Sequence, residues 1–257
     1  MVHVHNRQLS ISDKGEGMPV IFLHPPGLGK EVFHYQDHLT EHYRVIRYDM
    51  CGHGDSEGID EPVTIKLLSE ELLAVLDALD IDKAVICGYS AGGSVAQEFA
   101  LTYPERTAGL ILSGGFPRVV NPFLKAEFLL GMKILKHSPH LLGKILTTSH
   151  GIKQEDRDRL WKTVSRTNTQ NWYDFYDASY TYSCYHLLPS IQPPTLVIYG
   201  QNAKHIKVHV KDYETLVHNS RIAIVRHAFH EVPIREWHVF NQIVDTFIQN
   251  GVNKTTK

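Results

Sequence analysis

Cysteine is scarce in this 257-residue sequence: Cys51, Cys87 and Cys184 are the only three. The number is odd and no pair has CxxC spacing, which excludes a disulfide framework and a zinc ribbon. Free thiols fit a reducing compartment, so the expectation is a cytoplasmic protein. No apolar run approaches the ~18 residues of a membrane-spanning helix. The first residues lack the charged start and apolar core of a secretory signal. Neither sign of charge is in excess: 26 Lys and Arg against 28 Asp and Glu leave a net −2. There is thus no basic field for nucleic acid. At 42% hydrophobic and 21% charged residues the chain is of ordinary globular composition, which excludes disorder. Histidine is the one excess, with 17 residues.

Short apolar runs recur instead of long ones. Residues 19–23, 44–48, 84–87, 109–112, 195–199 and 222–225 read as strands buried on both faces. Shorter strands are expected around Val2, Val4, Leu9 and Ile11, with a turn at Asn6-Arg7. Helical periodicity fills 64–79 behind a Thr64 cap, then 91–102, 208–217 and 237–248. Alternating strands and helices imply βαβ units with right-handed crossovers. Residues 116–189 break the rhythm, with helices at 122–136, 141–147 and 155–166 and an aromatic-rich stretch at 172–185. The expectation is an α/β fold: a mostly parallel twisted sheet flanked by helices, with an inserted helical cap. Residues 1–115 and 190–257 would form the core and 116–189 the cap. The tail from Gly251 is expected to fray.

Gly88-Tyr89-Ser90-Ala91-Gly92 fits G-x-S-x-G, directly after one strand and before a helix. A sharp strand-to-helix turn brings side chains close, so only small residues fit at Gly88 and Gly92, and the Ser90 hydroxyl is exposed beside free helix N–H groups. With this motif in place, the chain resembles the α/β-hydrolase superfamily, specifically its capped esterase and lipase-like members. Four further segments carry the likeness over nearly the whole length. Leu23-His24-Pro25-Pro26-Gly27 stands at the oxyanion loop. The stretch from Tyr48 through Asp49 and Asp55 to Ser56 is similar to the D-x-R-G-x-G-x-S turn. Pro194 to Gly200 looks like the penultimate strand, and His227-Ala228-Phe229-His230 falls at the catalytic histidine loop.

The resemblance implies that His230 activates Ser90 as general base. It implies oxyanion donors at the amides of Ala91 and of the residue two after His24. That residue is Pro26, which has no N–H, so Gly27 is expected to serve. The family's acid would fall at Ala203, and the alternative location at Ser113–Pro117 lacks a carboxylate too. Asn202 is the favoured orienter of the imidazole. Gln201, a carboxylate from the inserted segment such as Glu127 or Asp174, or an acid-free dyad are the alternatives. His34, His38 and His42 lie four apart on an expected helix, and His205 and His209 share the spacing. They read as surface histidines, with no metal expected. Asp49 and Asp55 should fix the turn beside the site. The aromatic stretch could pack the cap or line an acyl pocket.

Two functions follow. One is a cofactor-free serine hydrolase for a small to medium, mostly apolar ester, with a small-molecule acyl substrate as its partner. The other is a hydrolase-fold ligand sensor with weak or no turnover, motivated by Ala203 and Pro26. Acyl transfer or cofactor-free oxygen chemistry is a weaker third.

Overall fold

The computed structural model describes residues 1–4 and 6–252. Among the described residues nine strands form: β1 (Val2–Val4), β2 (Arg7–Leu9), β3 (Ile11–Lys14), β4 (Pro19–Leu23), β5 (Arg44–Tyr48), β6 (Ala84–Tyr89), β7 (Thr107–Ser113), β8 (Thr195–Gly200) and β9 (Ser220–Val225). β1 and β2 pair as an antiparallel hairpin, with Val2 opposite Leu9. Asn6 takes the left-handed turn between them at φ 65°, and Arg7 already belongs to β2. The other seven make one sheet in the order β3-β5-β4-β6-β7-β8-β9. Only β3 runs antiparallel to its neighbour; every other pairing is parallel.

Parallel strands need crossovers on both faces, which is why the strand runs are apolar throughout rather than alternating. Successive side chains part to opposite faces. Ile21, Ile86, Leu112 and Val197 pack under helices α1 (Ile65–Ala78) and α2 (Gly92–Thr102), through Leu68, Leu72, Val95 and Phe99. Phe22, Val85, Cys87 and Ile198 face the other way, onto Phe33 and onto Phe240 and Val244 near the C-terminus. Each such fully buried apolar side chain contributes about 1.5–3 kcal/mol. The Thr64 side chain caps α1 by accepting from the Leu67 amide at 3.1 Å.

Between β7 and β8 stand four helices: α3 (Pro122–His137), α4 (Pro139–His150), α5 (Gln154–Val164) and α6 (Thr169–Thr181). The aromatic-rich stretch from Trp172 thus belongs mainly to a helix, begun by Asn168, whose side chain accepts from the amides of Gln170 and Asn171. The insertion closes at its neck. Arg118 bridges Ser183, and the Cys184 amide donates to the Pro117 carbonyl at 2.9 Å. After β8 come α7 (Lys204–Lys207), α8 (Val210–Leu216), α9 (Val232–Arg235) and α10 (Trp237–Phe247).

Two local expectations fail. His34, His38 and His42 do not share an α-helical face, because Lys30–Glu41 forms 3-10 turns kinked at Phe33. His34 instead meets Asp156 at 3.1 Å, and His38 stacks on Trp237. The tail is also better packed than expected, for Val252 is buried at the end of a π turn from Ile248; residues 253–257 lie outside the described residues. No helix among the described residues is long and apolar enough to cross a membrane.

Candidate active site

Ser90 sits between β6 and α2 with a left-handed backbone, φ 53°. For a residue with a Cβ that conformation stores about 1–3 kcal/mol of strain. Its neighbours enforce it. The Ser90 amide donates to the Ser113 carbonyl of β7 at 2.8 Å. A Cβ on Gly92 would stand 2.2 Å from the Leu23 carbonyl oxygen, and one on Gly88 would stand 2.6 Å from that of Gly92. Glycine at 92 therefore lets the turn approach β4 this closely, and glycine at 88 lets α2 start this close to the end of β6. The next amide, Ala91, donates to nothing among the described residues and opens α2.

A cavity of about 400 Å³ lies over the turn. The core contributes Pro25, Pro26, Leu28, Tyr89, Ser90, Ala91, His205, His230 and Glu231. The inserted helices contribute an apolar wall, with Leu124, Phe128, Leu130, Ile134, Leu142, Ile145 and Tyr176. Ser90 and His230, 140 positions apart in the chain, thus share one chamber. No hydrogen bond joins them in this structure.

His230 is held by packing. Its ring tilts over Tyr89 at a centroid distance of 5.2 Å and meets His205 edge-on at 6.2 Å. Its Nδ1 is buried without a hydrogen-bond partner. The Nδ1–Cε1 edge lies against Gly114, where a Cβ would fall only 2.6 Å from Nδ1. Burial, then the neighbouring His150 and His205, push its pKa down to about 3, so the ring is neutral.

The residue expected to orient this ring does not reach it. The Asn202 side chain is exposed and donates to the His227 carbonyl at 3.1 Å. Gln201 accepts from the His227 amide at 3.0 Å. Both side chains therefore clamp the backbone of the histidine loop. The reason is local: β8 ends at Gly200, and the chain turns beneath Ala228, to whose carbonyl the Asn202 amide donates. Ala203 is buried and begins α7. Asp174 accepts from the Val63 amide and Gln170, away from the site. Glu127 does enter the cavity, but its partner is His205, at 3.4 Å.

The loop after β4, expected to supply an oxyanion donor, also departs from expectation. Pro25, Pro26 and Leu28 line the cavity, whereas Gly27 turns at φ 85° under Trp172 and is not in the lining. His24 anchors this loop: its Nε2 accepts from the Met50 amide and its Nδ1 donates to the Pro25 carbonyl, both at 2.9 Å. Asp49 fixes the adjacent turn. Its buried carboxylate takes the Lys30 amide at 2.7 Å, the Lys30 Nζ at 2.5 Å and the Asp55 amide at 3.4 Å. Asp55 itself reaches outward to Arg166. His209 pairs with Asp212 at 2.8 Å, and among the described residues no group of three His, Cys, Asp or Glu could hold a metal.

Sequence reasoning missed His150 and Glu231. His150, on α4, receives the Tyr89 hydroxyl on Nε2 at 3.0 Å and donates from Nδ1 to the Leu146 carbonyl at 2.9 Å. Nothing in its local sequence marks it, because its partner lies 61 positions away.

Comparison with known proteins agrees with this architecture. A family model described as alpha/beta hydrolase fold matches residues 19–232. The chain is 26% identical over 260 residues to the putative 2-succinyl-6-hydroxy-2,4-cyclohexadiene-1-carboxylate synthase of Bacillus subtilis, covering 93% of this chain and 94% of that protein. It is 37% identical over 115 residues to the 2-hydroxy-6-oxo-6-phenylhexa-2,4-dienoate hydrolase of Burkholderia cepacia, covering 42% of this chain and 40% of that one. Among solved structures, an esterase from Exiguobacterium antarcticum superposes with a TM-score of 0.87 at 18% identity, over 97% of this chain and 98% of that one. The enol-lactonase of Burkholderia xenovorans gives 0.82 at 22% identity, over 96% and 98%. With the strained serine turn, the strand order and a family match across most of its length, the chain belongs to the alpha/beta hydrolase family.

Proposed function

We propose that the protein is a serine hydrolase that cleaves a small to medium, mostly apolar ester. One observation carries the reading: Ser90, on a strained left-handed turn, shares an apolar-walled cavity with a neutral His230. The Ser90 Oγ attacks the acyl carbonyl while His230 takes its proton. The developing oxyanion accepts from the free Ala91 amide. Gly27 contributes the second donor only once its N–H is brought past Pro26. His230 then protonates the departing alcohol, leaving the acyl group on Ser90. Water, deprotonated by His230, attacks that acyl group; the acid leaves and Ser90 regains its proton.

Helices α3 to α6 act as a cap, since α3, α4 and α6 supply most of the apolar wall. We read the compartment as cytoplasmic from the three free, buried thiols. The test is labelling with a fluorophosphonate probe and turnover of p-nitrophenyl butyrate. Ser90→Ala should abolish both, and His230→Ala should cut turnover by about 10³-fold or more. Unchanged labelling in Ser90→Ala refutes the reading.

A second reading is favoured by the unpartnered Nδ1 of His230: a ligand-binding protein with slow turnover. Loss of the orienting acid can cost about 10⁴-fold in kcat. Rapid, Ser90-dependent turnover excludes this alternative; a ligand-induced thermal shift without turnover supports it.

A further inference from the structure

Among the described residues the cavity lining contains no lysine and no arginine, but two carboxylates, Glu127 and Glu231. They come from opposite sides, Glu127 from α3 and Glu231 from the loop that follows His230. Glu127 is shared with His205 at 3.4 Å. Among the described residues Glu231 has no ion pair, and its carboxylate makes no hydrogen bond. Its charge is nevertheless felt inside the chamber: burial raises the pKa of Glu127 and the Glu231 charge adds to that rise, while the same charge opposes the burial that lowers that of His150. Arg235, the guanidinium whose field also reaches His150, donates to the Ser149 carbonyl at 3.1 Å and lies outside the lining. Two aromatic rings, Phe128 and Tyr176, stand edge to face at 5.9 Å in the same wall as Glu127.

A half-buried carboxylate without a partner favours a cation beside it and repels an anion. Aromatic faces add to the attraction for a weakly hydrated cation such as a quaternary ammonium. We propose that this cavity selects acyl substrates by charge: it accepts neutral ones, favours those carrying a cationic group, and rejects those carrying a carboxylate, with Glu127 and Glu231 setting the selection. The inference deepens the serine-hydrolase reading and rests on it for the turnover arm of its test.

Three thioesters with one butyryl group separate the charges. Butyrylthiocholine is cationic, its carbon-for-nitrogen isostere is neutral, and S-butyryl mercaptoacetate is anionic. The released thiol is followed by colour. The expected order of kcat/KM is cationic, then neutral, then anionic, with the anion about tenfold or more below the neutral compound, the effect of one like charge at several ångströms in a partly desolvated site. In Glu127→Gln combined with Glu231→Gln the cation-to-anion ratio should fall at least about tenfold. An anionic thioester that matches the neutral one, or a ratio unmoved in the double variant, overturns the proposal. Calorimetric binding of hexyltrimethylammonium, hexanol and hexanoate to the unmodified protein gives a readout without chemistry. Discrimination against hexanoate with no turnover refutes the hydrolase reading and keeps the charge selection. Turnover with hexanoate binding as well as hexanol refutes the selection and keeps the hydrolase.

Discussion

At the scale of the residue, Ser90 holds a conformation its own side chain disfavours. Ser90→Gly should therefore abolish activity while raising stability by about 1 kcal/mol, since glycine takes φ 53° without strain. Urea titration beside the turnover assay checks both halves. Gly92→Ala should do the reverse damage. Its Cβ would fall 2.2 Å from the Leu23 carbonyl, a backbone atom that cannot swing aside, and a loss of about 3 kcal/mol is expected. Asn202 makes the most direct test of the missing acid. Because its amide holds the His227 carbonyl rather than the His230 ring, Asn202→Ala should change kcat/KM by less than about threefold, at a cost near 1 kcal/mol in stability. A loss of about 10³-fold or more would return it to the imidazole. The serine was legible in the sequence because its geometry is local: five consecutive residues impose the turn. The orienter was not. That no side chain among the described residues meets Nδ1 follows from how the loops after β8 and β9 clasp each other across 25 positions, and no local pattern encodes that.

At the scale of the element, α4 is fastened to the serine turn by a single buried hydrogen bond, from Tyr89 to His150. Tyr89→Phe removes the donor and leaves the His150 acceptor unmatched in an apolar setting. The expected cost is about 1–3 kcal/mol, with faster amide exchange concentrated in residues 139–150. Uniform loss of protection over the whole chain would count against a local latch. Strands and helices were mostly legible, because a buried parallel strand is apolar in every position and α1 carries both its stripe and its Thr64 cap. The Lys30–Glu41 segment was not. A helix was expected under His34, His38 and His42, but packing of Val32 and Phe33 against the sheet and of Gln36 onto Pro233 and Asn241 draws the chain into tighter 3-10 turns.

For the whole molecule, the abundance of histidine becomes a statement about acid sensitivity. His24 and His53 are buried and His230 is half-buried; all three are neutral, with burial the main cause in each, and His53 is pushed down to about 4. In the unfolded chain each binds a proton near the ordinary histidine pKa of about 6.5. Unfolding therefore takes up protons as pH falls below about 6.5, and stability drains away down to the folded values. His53 alone accounts for about 2 kcal/mol between pH 7 and 5. Glu71 works in the opposite sense. Burial raises it to about 7, so the folded chain keeps a proton there that the unfolded chain gives up, and stability falls as pH rises from about 4.5 through 7. Three histidines outweigh one carboxyl, so the urea midpoint should be lower at pH 5 than at pH 7. An equal or higher midpoint at pH 5 contradicts this balance.

The neck of the insertion has a consequence for how this protein can be rebuilt. Because Arg118 and Ser183 face each other as a bridge, and Cys184 binds back to Pro117, the chain leaves the sheet and returns to it at one spot. Everything between is in effect a cassette on a common socket. Grafting the matching segment of a relative onto those two positions should transplant its substrate preference while Ser90 and His230 stay where the sheet puts them.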